Sequence, residues 1–138
     1  MIVVDTSVAL KWVLRAPGTD LAKRALALPL IAPDFWRVEA ANGIRRAVAM
    51  KQATEEEGRH YLAVMDAAPV DDAATAPLLR GGFELAMTLR HSIQDCLFLA
   101  LAIERDCRLL TADDTFTALV RDRSNLSDRV VPLSEYFQ

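Results

Sequence analysis

The chain is poor in everything that would staple or tether it. Its 138 residues include two cysteines, Cys96 and Cys107, which rules out a disulfide scaffold. Both fall within or just beyond one expected helix and read as small buried hydrophobes of a reducing cytoplasm. With five glycines, six prolines and no repeat, linker or low-complexity stretch, the chain is neither collagen-like nor disordered. The longest wholly apolar run, Cys96 to Ile103, falls far short of the roughly 20 residues that cross a bilayer. Asp5 interrupts the apolar N-terminus at once, so neither a membrane span nor a signal peptide is expected. Two histidines, His60 and His91, supply no Ser-His-Asp or Cys-His arrangement. His60 is expected in a charged, solvated helix, and His91 as a cap or surface residue ahead of another. Basic charge is not in excess either: the net charge is −3, and all three lysines (Lys11, Lys23, Lys51) lie in the first 51 residues.

What remains is an ordinary globular composition, 52% hydrophobic and 25% charged, long enough for a single domain over residues 1–138 with one core. Short apolar runs alternate with amphipathic stretches. Strands are expected at Ile2–Asp5, Pro29–Pro33, Pro69–Val70, Leu109–Leu110 and Val130–Val131. Helices are expected from Val8 to Leu14, from Thr19 to Leu28, and from Phe35 to Met50 with Asp34 as its cap. A further helix, opened by the capping box Thr54-Glu-Glu-Glu57, runs to Ala67. The last helices run from Ala74 to Leu89 and from Ser92 to Arg105, with a helical turn at Leu133–Phe137. Such alternation argues for an α/β fold, a three-layer α/β/α sandwich around a parallel sheet.

Four acids stand out by placement. Asp5 ends the first strand and Asp113 follows the fourth. Ligands in open parallel sheets bind outside the carboxyl ends of the strands. Glu39 and Asp95 lie on the helices between. Each has an innocent reading. Asp5-Thr6-Ser7 can cap the first helix, and Ser92-Ile-Gln-Asp95 matches a capping box. Thr111-Ala-Asp113-Asp114 is another candidate cap, and a solvated helical glutamate is commonplace. The helix after Asp95 is apolar almost all round, so that acid is at least partly enclosed, and enclosure without a partner is costly. Asn42 adds an oxygen one turn beyond Glu39. Carboxylates brought together oppose joint ionisation, and hard oxygen donors in such a cluster suit Mg²⁺ or Mn²⁺.

Val3-Val-Asp5-Thr-Ser7, Ala32-Pro-Asp34, Glu39-x-x-Asn42, Asp95 followed by Ala100-Leu-Ala102, and Leu110-Thr-Ala-Asp113-x-x-Phe116 together resemble the PIN-domain nucleases. The resemblance is closest to the VapC-type toxins of bacterial toxin–antitoxin pairs, and it covers nearly the whole chain in order. It implies an α/β/α sandwich in which Asp5, Glu39, Asp95 and Asp113 surround one or two Mg²⁺ or Mn²⁺ ions and RNA is hydrolysed. Thr6, Ser7, Asn42 and Thr111 are the implied supporting residues, with the Ser7 and Thr111 hydroxyls bonded to the carboxylates or to metal-bound water. It further implies an antitoxin partner, homodimers and toxin–antitoxin hetero-oligomers, and a cytoplasmic setting. One departure is Gln94, where the family often carries tyrosine.

An RNA substrate needs cations against its backbone. Lys11, Arg15, Arg45, Arg46 and Lys51 are candidates, each equally compatible with a solvated helix face. Without the four clustered acids the net charge would be +1, so overall charge does not decide the partner. Two other readings compete. A receiver-like signalling domain also holds Mg²⁺ in an acidic pocket, but it uses a late lysine, and none follows Lys51. A catalytically silent binding module would keep the fold without needing the acids. Trp12, Phe35 and Trp36 are candidates for a docking surface or for core.

Overall fold

Five short apolar segments pair in parallel to build the centre of the molecule. The computed structural model describes residues 1–138. The strands are β1 (Ile2–Val4), β2 (Leu30–Pro33), β3 (Val70–Ala73), β4 (Leu109–Thr111) and β5 (Val130–Pro132), ordered β3-β2-β1-β4-β5. β1, β2, β4 and β5 are buried along their whole length, as strands covered on both faces must be. β3 is an edge strand and turns Asp71 and Asp72 to solvent, a charged edge that discourages further pairing. Val3 pairs with Leu109 and Val4 with Leu110, so the ends of β1 and β4 lie side by side.

The helices are α1 (Thr6–Ala9), α2 (Thr19–Arg24), α3 (Trp36–Ala49), α4 (Glu55–Asp66), α5 (Leu79–Leu89), α6 (Ile93–Glu104), α7 (Asp114–Arg123) and α8 (Leu133–Tyr136). Right-handed crossovers put the connections stepping from β1 to β3 on one face and those stepping from β3 to β5 on the other. Accordingly α3 packs on α1 and α4, while α5 packs on α6 and α7. This is the expected α/β/α sandwich. Its strand order reverses between β1 and β4. That reversal is the switch point at which open sheets bind ligands, and the order differs from the 2-1-3-4-5 of receiver domains. The receiver reading is thereby excluded.

Core and caps explain most of the elements. α6 buries every residue from Cys96 to Ala102, which accounts for its apolar circumference. Trp36, Phe98 and Phe116 are the largest fully buried side chains. Trp12 is buried too and donates its indole N–H to the Ala22 carbonyl at 2.8 Å. Phe35 is partly covered, edge-on to Phe98 at 5.2 Å. The three aromatics are therefore core rather than docking surface. No helix is long and apolar enough to cross a membrane.

Several expected boundaries shift. The first helix becomes one α-turn followed by a 3₁₀ turn at Leu10–Trp12. Thr19 lies inside α2 and accepts the Ala16 N–H, leaving Gly18 as the cap. Asp34 does not cap α3, because its carboxylate accepts the Thr75 hydroxyl at 2.5 Å and Phe35 takes the cap position. The helix α7 was not anticipated as an element, only its cap.

The Thr54–Glu57 capping box forms as expected, with Thr54 Oγ1 accepting the Glu57 N–H at 3.1 Å and Glu57 Oε1 accepting the Thr54 N–H at 2.9 Å. These bonds hold the Glu57 carboxyl below its ordinary range. Thr54→Ala should therefore cost about 1 kcal/mol in urea unfolding; an unchanged midpoint would show that the cap contributes nothing.

Candidate active site

The carboxyl ends of β1 and β4 and the first turns of α3 and α6 converge on one cleft of ≈ 260 Å³. It is lined by Asp5, Thr6, Ser7, Leu10, Glu39, Asn42, Gly43, Arg46, Asp95 and Asp113. All four acids singled out from the sequence border it. Asp5 comes directly from β1, where its N–H donates to the Leu110 carbonyl at 3.0 Å. Glu39 and Asp95 are each the acid of a helix's first turn, where the positive end of the helix dipole favours negative charge by ~0.3–1 kcal/mol. Gly43 lets α3 lie close to the turn after α1. A Cβ there would stand 2.7 Å from Leu10 Cδ1, and any outward shift of α3 would carry Glu39 with it.

Hydroxyls organise the acids. Ser7 Oγ donates to Asp5 Oδ2 at 2.6 Å, Thr111 Oγ1 donates to the same oxygen at 2.9 Å, and Thr6 Oγ1 donates to Glu39 Oε1 at 2.9 Å. Ser7 Oγ also accepts the Ala112 N–H at 3.0 Å, tying α1 to the loop after β4. Asp5 holds the cap position of α1 but makes no side-chain capping bond. Its carboxylate instead accepts both hydroxyls on Oδ2. Asp113 does cap α7, Oδ1 accepting the Phe116 N–H at 3.0 Å, and still borders the cleft. Asp114 is exposed and lines a different cavity, beside Lys11 and Pro17.

The expected Ser92–Asp95 capping box does not form. Asp95 Oδ2 instead meets His91 Nε2 at 2.5 Å, a partnership the sequence reading missed. Its only sequence signal was the four-residue spacing across the helix start. Among the candidate cations, Arg46 borders the cleft. Arg45 turns aside to donate to Asn42 Oδ1 at 3.0 Å and lines a groove against α4. Lys11 and Arg15 line a larger neighbouring cavity of ≈ 570 Å³, with Lys11 Nζ donating to the Pro17 carbonyl. Lys51 lies beyond α3 in left-handed backbone.

Burial pushes the Asp5 carboxyl up from 3.8 to about 6; the Ser7 and Thr111 hydroxyls draw it down, and Asp95 and Asp113 push it further up. Glu39 is raised as well, first by burial, with Thr6 opposing and the Asp5 and Asp95 charges adding. Burial beside Asp95 likewise lifts the Cys96 thiol to about 11, so Cys96 is an inert core residue. No lysine or arginine forms a salt bridge with any of the four acids. Nor do any three His, Cys, Asp or Glu side chains form a ready-made cation cage as they stand. An acidic cleft of oxygen donors with no lysine or arginine salt-bridged to its carboxylates is chemically suited to a hard divalent cation.

Residues 2–121 match the family model of the PIN domain, and the chain belongs to the PIN-domain family. It is 30% identical over 114 residues to Ribonuclease VapC12 of Mycobacterium tuberculosis, which covers 82% of this chain and 87% of that relative. Two solved structures share the fold. VapC20 of M. tuberculosis, described as a sarcin–ricin loop cleaving toxin, has a TM-score of 0.67 at 18% identity, covering 86% of this chain and 94% of its own. A chain in a toxin–antitoxin complex from Klebsiella pneumoniae has a TM-score of 0.64 at 16% identity, covering 96% and 98%.

The raised Asp5 pKa makes a linkage prediction for metal-free protein. Between 3.8 and about 6 the folded state holds a proton that the unfolded state has lost. Stability from this group is therefore full at low pH and disappears as pH rises through 6. Asp5→Asn keeps an oxygen acceptor for Ser7 and Thr111 without the charge. In EDTA it should gain up to about 3 kcal/mol over wild type at pH 7.5 and little at pH 4. Thermal unfolding at both pH values measures this, and a gap independent of pH would contradict the burial penalty.

Proposed function

We propose that the chain is a divalent-metal-dependent ribonuclease of VapC type, the toxin of a toxin–antitoxin pair, acting in the cytoplasm. The observation that carries this reading is the single cleft at the sheet's switch point, bordered by Asp5, Glu39, Asp95 and Asp113, none of which is salt-bridged to a lysine or arginine. The family match and the similarity to Ribonuclease VapC12 support it.

Those four carboxylates hold the cation, Mg²⁺ or Mn²⁺. Bound there, a hard divalent ion supplies activation of water and neutralisation of charge developing at phosphorus. Ser7 and Thr111 fix Asp5 Oδ2 and so set which way its carboxylate faces. Thr6 does the same for Glu39, and the α7 cap does so for Asp113. Arg46, at the rim of the cleft, is placed to meet a phosphate with its fork of donors. Single-stranded RNA is the substrate class, because unstacked loops are what sequence-specific ribonucleases reach. The antitoxin reading is supported by the Klebsiella complex that shares this fold. Homodimers and toxin–antitoxin hetero-oligomers are the proposed assemblies.

The test uses antitoxin-free protein and total cellular RNA with Mg²⁺ or Mn²⁺, beside EDTA and Asp5→Asn controls. Cuts at a few sites are expected with metal and none in EDTA. Asp5→Asn should slow cleavage by more than about 100-fold, since losing a ligand costs more than losing a ligand's support. Intact RNA with folded protein, or cleavage indifferent to EDTA and Asp5→Asn, would sink the proposal and favour a silent binding module.

A further inference from the structure

Asp95 has no hydroxyl partner of the kind that holds Asp5 and Glu39. The side chain bonded to its carboxylate is His91, Nε2 to Oδ2 at 2.5 Å, with both groups about three-quarters covered. His91 is itself held in place. α5 ends at Arg90 in left-handed backbone, φ 53°, and Arg123 of α7 donates to the Leu89 carbonyl at 2.5 Å, pinning that turn. The imidazole then lies against the Phe116 ring at 5.3 Å, and the Phe116 N–H is the donor that caps Asp113. Two cleft acids are thus linked through one histidine and one phenylalanine, both anchored on the β4 side of the cleft.

We propose that His91 is the positioning residue of Asp95, donating Nε2–H to Oδ2 so that Oδ1 is the oxygen presented to a divalent cation. The assignment rests on the cation-site reading above. The Nε2–H tautomer and the imidazolium both donate from this atom, so the role does not depend on the imidazole's charge. A histidine bonded to a ligating carboxylate fixes the ligand's orientation, and loss of such support weakens metal binding by roughly 10- to 100-fold. Without it Asp95, about three-quarters covered, would have no side-chain hydrogen bond.

The test is Mn²⁺ affinity, read by electron paramagnetic resonance of the free ion, for wild type, His91→Phe and His91→Gln. Phenylalanine keeps a ring on Phe116 but cannot donate; glutamine places an amide N–H near the lost Nε2. The expected result is Mn²⁺ binding weakened roughly 10- to 100-fold in His91→Phe and close to wild type in His91→Gln. Equal affinity in all three would overturn the proposal. So would an equal loss in both variants, which would make the imidazole a ligand or a packing element instead. A second reading needs neither variant nor metal: nitrogen–proton correlation in the wild-type imidazole should find Nε2 of His91 protonated. A bare Nε2 there overturns the donor role. Wild type that binds no Mn²⁺ contradicts the cation site itself, an outcome distinct from a His91 variant that binds as well as wild type.

Discussion

The parallel pairing of β1 with β4 is the constraint on which the rest depends. It sets the ends of two buried strands side by side, and Asp5 leaves one of them almost wholly buried, open only to the cleft. Thr111, one register step beyond the Val4–Leu110 pair, donates to it from the other strand, and Ser7 donates from the turn that follows. A carboxylate so enclosed is a standing cost. Buried charge is tolerated only with compensation, and here two hydroxyls compensate in part, leaving the carboxyl pushed up to about 6. The chain keeps that cost at the one point in its topology where both halves of the sheet open onto a common crevice.

Around this point the remaining acids arrive from opposite layers. α3 comes from one face of the sheet and α6 from the other, each with its acid in the first turn. A helix running antiparallel to the strands has its N-terminus at their carboxyl ends, and α3 and α6 both start at the cleft. The dipoles offset a little of the repulsion, but only by fractions of a kcal/mol each. No lysine or arginine is salt-bridged to the cluster. Elsewhere the protein does pair its charges, as between Arg37 and Asp72 or Arg129 and Asp106. Four carboxylates gathered in one cleft without a lysine or arginine salt bridge make a divalent cation a fitting counter-charge.

Much of this was legible in the chain because it rests on local pattern. Alternating apolar runs and amphipathic stretches placed all five strands and both helices that carry Glu39 and Asp95. The Thr54 capping box needs only four adjacent residues, and it formed. What stayed hidden depends on distant partners. Asp34 looks like a cap until Thr75, 41 residues later, takes its carboxylate. Asp95 looks like half of a capping box until the turn after α5 brings His91 to it. Arg45 and Arg46 are indistinguishable as a dipeptide, yet one lies along Asn42 and the other enters the cleft. α7 went unnoticed because its ten residues are mostly polar and its apolar face, Phe116 and Val120, is narrow. Trp12 and Trp36 have N–H partners distant in sequence, the Ala22 carbonyl and Asp72 on the edge strand, that no local reading supplies.

The central claim is that these four acids form a cation site. Anomalous diffraction from crystals soaked in Mn²⁺ addresses it most directly. The account predicts a manganese peak inside the cleft, within bonding distance of Asp5 and of at least one of Glu39, Asp95 and Asp113. A cleft free of manganese at saturating concentration, or a peak held only by surface carboxylates such as Asp71 or Asp128, would contradict it.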